Sequence, residues 1–365
     1  MEIKNLETNL PRFLKTISLV EFIPKEATED MWEAYFTLNE TIFSAIGKGS
    51  RLPDRGRVRR FFSTQNPLYS VKRWLAFDKE EKAVASAWMS YDTELSPDYE
   101  SNKHLCQVNI SVAPSYRRKK LRTFLMKNII RTAKLLKRDT IMAEADTLSR
   151  LEFFKYLRGE LVHEEARYRL DMEDADWPLV EQWLKKGRTK SMDIKIEFFQ
   201  DCPEKDIEEF CRTYTEIINQ RPTGDMEGKL ITTPESRRIE ERNLKKRGTE
   251  WYTMISREPD GRISGLTDIM YNREEPYKIN QYFTGVLSRY RNRGLAKRLK
   301  AEMLVVIKNK FPDVEYITTN TARTNRPMRS INKQLGFQST QTVFIFRWSL
   351  PDLEKQVDRN LQGLH

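Results

Sequence analysis

The chain has 365 residues, and at roughly 150 residues per domain this length favours two domains. Its 64 Lys and Arg against 53 Asp and Glu leave a formal charge of +11, with 39% hydrophobic and 11% aromatic residues, a balance that excludes a disordered or collagen-like chain. The longest apolar runs, such as Met303 to Ile307, fall far short of the roughly 18 residues a membrane helix needs.

The opening Met1 to Asn5 lacks the basic-then-apolar layout of a signal peptide. The three cysteines, Cys106, Cys202 and Cys211, have no CxxC spacing, so a reducing, cytoplasmic setting is expected, with neither a disulfide framework nor a zinc site. Three dispersed histidines, His104, His163 and His365, offer no metal cluster. Any chemistry therefore rests on carboxylates, phenols, amides and backbone groups. The positive charge alone suits nucleic acid, an anionic cofactor or plain solubility. Without a nucleic-acid module pattern, a nucleic-acid partner is the last of these readings.

In chain order, Trp74 to Phe77 reads as a strand, Asp78 to Lys82 as a turn and Ala83 to Tyr91 as the returning strand. Val112 to Leu125 follows, and Tyr168 to Met172 closes the first half, with a helix and linker to about Arg188. The second half repeats this layout: strand Trp251 to Ser256, turn Pro259 to Arg262 and strand Ile263 to Tyr271. Leu295, Leu299, Met303 and Ile307 then mark one apolar stripe of a helix whose other faces carry Lys and Arg. A strand, Tyr316 to Thr319, and a helix, Asn325 to Leu335 ended by Gly336, lead to a closing strand, Gln338 to Trp348.

The two halves align without gaps where it matters. Val112-Ala-Pro-Ser-Tyr116-Arg117-Arg-Lys-Lys120-Leu121-Arg122-Thr-Phe-Leu125 matches Val286-Leu-Ser-Arg-Tyr290-Arg291-Asn-Arg-Gly294-Leu295-Ala296-Lys-Arg-Leu299 at a constant offset of 174. A period that long is a duplicated domain. The expected division is 1–188 and 189–350, with 351–365 as a tail.

The segment Arg291-Asn-Arg293-Gly294-Leu295-Ala296 opens a helix after a strand ending in Val286 to Tyr290, and Asn325-Arg-Pro-Met-Arg-Ser-Ile331-Asn332-Lys-Gln-Leu-Gly336-Phe337 follows in order and spacing. Together these resemble the GNAT acyltransferase superfamily, and the duplication, with Thr284-Gly-Val-Leu and Thr319-Asn320, is similar to its tandem, mycothiol synthase-like members. The resemblance covers about 195–348 well and about 20–172 weakly. It implies an α/β (α+β) fold of two tandem domains, each a mixed, mostly antiparallel central sheet flanked by helices.

It further implies acetyl-CoA as substrate and direct transfer of acetyl to a small-molecule or peptide amine, without a metal and without a covalent enzyme intermediate. A strand-to-helix turn presents unpaired N–H groups to a pyrophosphate, with Gly294 and the small Ala296 allowing close approach. Leu295 and Lys297 belong to that first turn, and Arg291, Arg293, Lys297 and Arg298 add positive potential. Thr284 and Val286 would offer backbone groups to the pantetheine arm, and the Val286 N–H would polarise the thioester carbonyl. Asn325 either lies along the cofactor or caps its helix.

An amine of pKa near 10.4 must lose a proton before it attacks, so a base is expected. Asp268, on the strand flanking the acceptor side, is the first candidate, with a solvent-facing strand residue as the alternative reading; Glu250 is weaker. Asn332 stands where many such enzymes carry the Tyr that protonates the leaving thiolate. An amide can hydrogen-bond sulfur but gives no proton. Tyr282 or Tyr271 would have to replace that acid, or the thiolate leaves unassisted.

In the first copy Lys120 and Arg122 replace the small residues, and Phe153 to Gly159 lacks the Leu-Gly-Phe ending, so that copy is expected to keep its fold and lose the cofactor. A non-catalytic acyl-CoA-binding or regulatory protein is the alternative to an enzyme. The charged stretch Gly224 to Lys246 is expected to form helices over the acceptor side.

Overall fold

Both hairpins form where the alternation of apolar residues places them, and each seeds one sheet. A computed structural model describes residues 13–45, 51–117, 120–190, 193–226 and 229–362. Arg118 and Lys119 of the first copy's basic run, Met1 to Asn5 and His365 lie outside the described residues. The chain packs as two compact units, 1–162 with 344–365 and 163–343.

The first half supplies β1 (Ser18–Glu21), α1 (Glu29–Ser44), α2 (Arg55–Ser63), β2 (Tyr69–Phe77), β3 (Ala83–Asp92), α3 (Tyr99–Asn102), β4 (Leu105–Val112), α4 (Leu121–Leu135), β5 (Thr140–Ala145), α5 (Leu148–Tyr156) and β6 (Glu160–Asp171). The second supplies α6 (Trp177–Lys190), β7 (Lys195–Gln200), α7 (Ile207–Ile218), α8 (Pro234–Lys246), β8 (Thr249–Arg257), β9 (Ile263–Asn272), β10 (Lys278–Val286), α9 (Leu295–Lys310), β11 (Tyr316–Ala322), α10 (Arg326–Gln334), β12 (Gln338–Ser349) and α11 (Leu350–Gln362). Thr28, Asp54, Thr147, Thr233 and Asn325 cap five of these helices with side-chain acceptors, as their residue types favour.

Within the second unit the strands run in the order β7-β8-β9-β10-β11-β6, antiparallel except for the β10–β11 pair. The first unit repeats the order as β1-β2-β3-β4-β5-β12, with β4–β5 as its parallel pair. The mixed, mostly antiparallel sheets flanked by helices are those the sequence implies.

The sixth strand of each sheet corrects the expectation that each half closes itself. Residues 165–171 of β6, from the first half, pair with β11. Residues 344–349 of β12, from the second, pair with β5. Packing explains the exchange: Phe346 and Trp348 insert beside Phe154, and the Trp348 indole donates to the Leu157 carbonyl at 3.0 Å. The following helices go with the strands. α6 packs on α9, and residues 351–365, expected as a tail, include α11, which packs on α4. The boundaries accordingly fall after residues 162 and 343 rather than after 188 and 350.

Trp348 is buried and its indole N–H is satisfied, so Trp348→Ala removes a large ring and a buried hydrogen bond from the first unit's core. Urea denaturation is expected to show a loss of about 3–5 kcal/mol.

Candidate functional site

The ladder between β10 and β11 stops early. Lys278, Ile279 and Asn280 pair with Tyr316, Ile317 and Thr318, and beyond that point no register joins the two strands although β10 continues to Val286 and β11 to Ala322. On its other edge β10 stays paired with β9 through Val286, with one irregularity between Gln281 and Phe283 that leaves Tyr282 as the bulged residue.

Ladder alternation settles which backbone groups face the widening. Leu287 N–H donates to the Ser264 carbonyl at 3.0 Å, so the odd residues Gly285 and Phe283 face β9 while the backbone groups of Thr284 and Val286 point to the unpaired edge. The Val286 carbonyl is occupied by Arg291 Nε at 3.1 Å. Position 285 has no room for a side chain because α7 crosses this face of β10 closely; a Cβ there would meet Ile217 at 2.2 Å.

At the end of β10 the chain turns into α9 through Gly294, which has φ +81° and open space where a Cβ would point. Gly294 offers no side-chain cap, and the amides of Leu295, Ala296 and Lys297 have no carbonyl within the helix to bond. The surrounding cations are held in place. Arg291 reaches Gln220 at 2.8 Å, Arg293 pairs with Glu258 at 3.0 Å, and Lys297 donates to Gln334 at 3.1 Å and lies over the Trp183 ring. Asn325 accepts from Met328 N–H at 3.2 Å, the helix-cap role of its two readings.

The first unit has the same backbone turn with different contents. Lys120 adopts the left-handed conformation at φ 58°. Its ammonium donates to the Leu361 carbonyl of α11, and Arg122 donates to the Ser149 carbonyl at 2.9 Å while covering the Phe153 ring. Burial pushes the Arg122 guanidinium down to about 10, with Arg150 and Arg117 adding to the effect.

Two polar clusters flank β9 on opposite faces. Leu266 packs under α7, so its same-face neighbour Asp268 points to α7 and α8, while Thr267 and Ile269 point to α9. Asp268 is 0% exposed, which corrects the solvent-facing alternative. Its Oδ1 accepts from Thr253 at 2.7 Å, and its Oδ2, like Trp251 Nε1 and Arg237 Nη1, is buried without a hydrogen-bond partner among the described residues. Burial raises the Asp268 carboxyl to about 6, against the opposing pull of the Arg237 guanidinium and nearby donors. Arg237 lies over the Trp251 ring, 3.4 Å from its centre, and pairs with Glu241 at 2.7 Å. Tyr282 beside this cluster is 51% exposed, and desolvation raises its phenol, with the Asp268 charge pushing the same way.

On the other face, Lys300 Nζ donates to Gln281 at 2.6 Å and to Asn332 at 2.7 Å. Gln281 donates on to Thr267, which bonds Thr284 at 2.7 Å, and Asn332 donates to Thr321 at 3.1 Å. Asn332 is thus fully buried with both ends of its amide engaged, which corrects its place among groups reaching a substrate. Tyr271 packs on Phe311 with ring centres 4.5 Å apart, and Glu250 is held by Arg273 and Tyr252. α8 forms within the charged stretch that ends at Lys246. Arg237, Trp251, Thr253, Gln281 and Lys300 were not legible as site residues, although the gapless repeat sets Lys300 against Met126 and carries that one signal.

No family model matches the sequence, and a comparison with curated proteins finds no significant match. Solved structures do match. A tandem GNAT protein from the clavulanic acid biosynthesis pathway superposes with a TM-score of 0.73 at 15% identity, covering 92% of this chain and 98% of that one. A GCN5-related N-acetyltransferase from Sphaerobacter thermophilus gives 0.66 at 16% identity over 93% and 97%, and N-myristoyltransferase of Saccharomyces cerevisiae gives 0.56 at 12% over 94% and 80%. The fold is that of the tandem GCN5-related acyltransferases, in agreement with the two motifs. No helix among the described residues is long and apolar enough to cross a membrane.

Asp268 gives a stability test of its burial. A carboxyl whose folded pKa of about 6 lies above the unfolded value of about 3.9 binds more protons when folded, so it lowers stability as pH rises through that window and costs nothing below it. Asp268→Asn is expected to be more stable than the parent by about 2 kcal/mol at pH 8, a gain that fades toward pH 4, in urea denaturation at the two pH values.

Proposed function

We propose that the second unit is an acyl-CoA-dependent N-acyltransferase that binds acetyl-CoA and transfers acetyl directly to an amine. The observation that carries this reading is the unpaired edge of β10 leading into an uncapped, open helix start at Gly294. The amides of Leu295, Ala296 and Lys297 would hold the pyrophosphate, with Arg291, Arg293 and Lys297 around it. Thr284 and Val286 would bond the pantetheine arm, and the Val286 N–H would stabilise the oxyanion.

Asp268 is the proposed sink for the amine proton. No part of it is exposed, so the proton reaches it indirectly, and half-exposed Tyr282, whose phenol feels its charge, is the surface group of the pair. Arg221 acts on that phenol in the opposite direction, and Glu240 and Glu165 act with Asp268, so the phenol lies among charges of both signs. The first unit, with its helix start occupied by Lys120 and Arg122, is proposed to bind no cofactor.

Calorimetric titration of acetyl-CoA is expected to find one site per chain, abolished in Gly294→Lys while the protein still folds, its melting temperature lowered by only a few degrees, because Lys120 shows that lysine adopts this backbone. Two sites, or a site that survives the substitution, would refute the assignment. With an acceptor identified from an amine library, log kcat/KM should rise with unit slope up to about pH 6, as Asp268 ionises, and lose this limb in Asp268→Asn.

A further inference from the structure

Lys300 is the residue that the preceding mechanism leaves without a task. Its ammonium sits on α9, 2% exposed, on two amide oxygens and 4.9 Å from the Phe337 ring centre. No carboxylate pairs with it among the described residues, and burial alone lowers it to about 7, a depression that an anion brought beside it would oppose. A buried cation without a counter-ion is destabilising, and a fold does not need one here.

The first unit proves the second point by its own packing. The repeat offset puts Met126 where Lys300 stands, the ladder registers put Val108 in place of Gln281, and the matching ends of α5 and α10 put Phe154 in place of Asn332. Thr267, Thr284 and Thr321 correspond in the same way to Ala87, Ile110 and Ala145. All six of the first unit's residues are buried in its apolar core. One backbone arrangement therefore closes over an entirely apolar set in one unit and over an unbroken polar chain in the other.

The place of that chain narrows its purpose. It runs from Thr284 on β10, through Lys300, to Thr321 on β11, joining by side chains the two strands whose ladder has ended. On the reading proposed above, the donor's thioester lies against this widening.

We infer that Lys300 is a buried counter-charge for the sulfur of the acyl donor, stabilising the thiolate that leaves and positioned for it by Gln281 and Asn332. In the transfer, the amine nitrogen bonds the thioester carbon and the C–S pair departs on sulfur. The proton lost by nitrogen balances the one the thiolate finally takes up to become CoA thiol. Lys300 supplies charge from beneath the strands, held by Gln281 and Asn332, and does not itself touch the donor, so it is a positioning residue. This task belongs to the place where Asn332 leaves no acid.

The test is ionisation of the thiol of bound CoA, followed by ultraviolet absorption of the thiolate during a pH titration. In the parent the bound thiol is expected to ionise at least one pH unit below free CoA, a tenfold excess of thiolate at a given pH. Lys300→Met should erase that displacement with CoA still bound, and Lys300→Arg should restore part of it. Met126 makes Lys300→Met a substitution the fold already contains, and circular dichroism checks that it folds; if it does not, the parent titration decides by itself. A bound thiol that ionises at or above the free value, or that is unmoved in Lys300→Met, overturns the inference. Failure of the parent to bind CoA at all overturns the cofactor reading beneath it, a separate result.

Discussion

The structure turns on two parallel strands that cease to pair while both continue. Backbone groups at a sheet interior are ordinarily satisfied by their neighbour. Past Asn280 and Thr318 the β10 edge loses that neighbour, and Tyr282 bulges out at the same point. The bulge has a second effect, because it resets the alternation of faces: Gln281 reaches Lys300 on the α9 side, whereas Phe283 packs toward Tyr214 of α7. Without it, Thr284 and Val286 would turn to the opposite face, away from α9. The first unit's β4 pairs with β3 in unbroken register from Gln107 to Val112 and has no such reset.

Duplication has let the two copies diverge by electrostatics while holding the backbone constant. Both helix starts sit behind a left-handed residue, Gly294 or Lys120, and both follow a short 3-10 turn. In one copy the first turn of helix opens to space; in the other its cations are engaged by the protein's own carbonyls, Leu361 and Ser149. A residue with a Cβ at φ 58° costs roughly 1–2 kcal/mol, so the first unit retains a strained turn that its packing alone does not explain.

Much of this was legible from residues alone. The hairpins, the apolar stripe of α9, the end of α10 at Gly336 and the duplicated turn all follow from local patterns of period two, period 3.6 and turn chemistry. The exchange of β6 and β12 was not legible, because a strand's alternation names its two faces and says nothing of which edge it joins. Asp268 and Asn332 failed for a related reason. Polar residues on strands and helices are mostly exposed, and only the packing of α8 over Thr253 and of α10 over Lys300 takes these two out of water.

On the function proposed here, burial of Asp268 and Lys300 on opposite faces of the same strand pair becomes a single design. Asp268 at about 6 and Lys300 at about 7 have each been pushed toward the neutral form by desolvation, the carboxyl upward and the ammonium downward. Acyl transfer from sulfur to nitrogen requires opposite services at its two ends: removal of a proton from the attacking amine and compensation of charge on the departing sulfur. A carboxylate and an ammonium within contact distance would instead satisfy each other in an ion pair and serve neither end. The sheet itself keeps them apart, since adjacent residues Thr267 and Asp268 must face opposite sides. In the first unit the α9-side chain is replaced by Ala87, Val108 and Met126, and Trp88 stands in the register place of Asp268. Both groups are absent there together, as expected if each is useful only with the other.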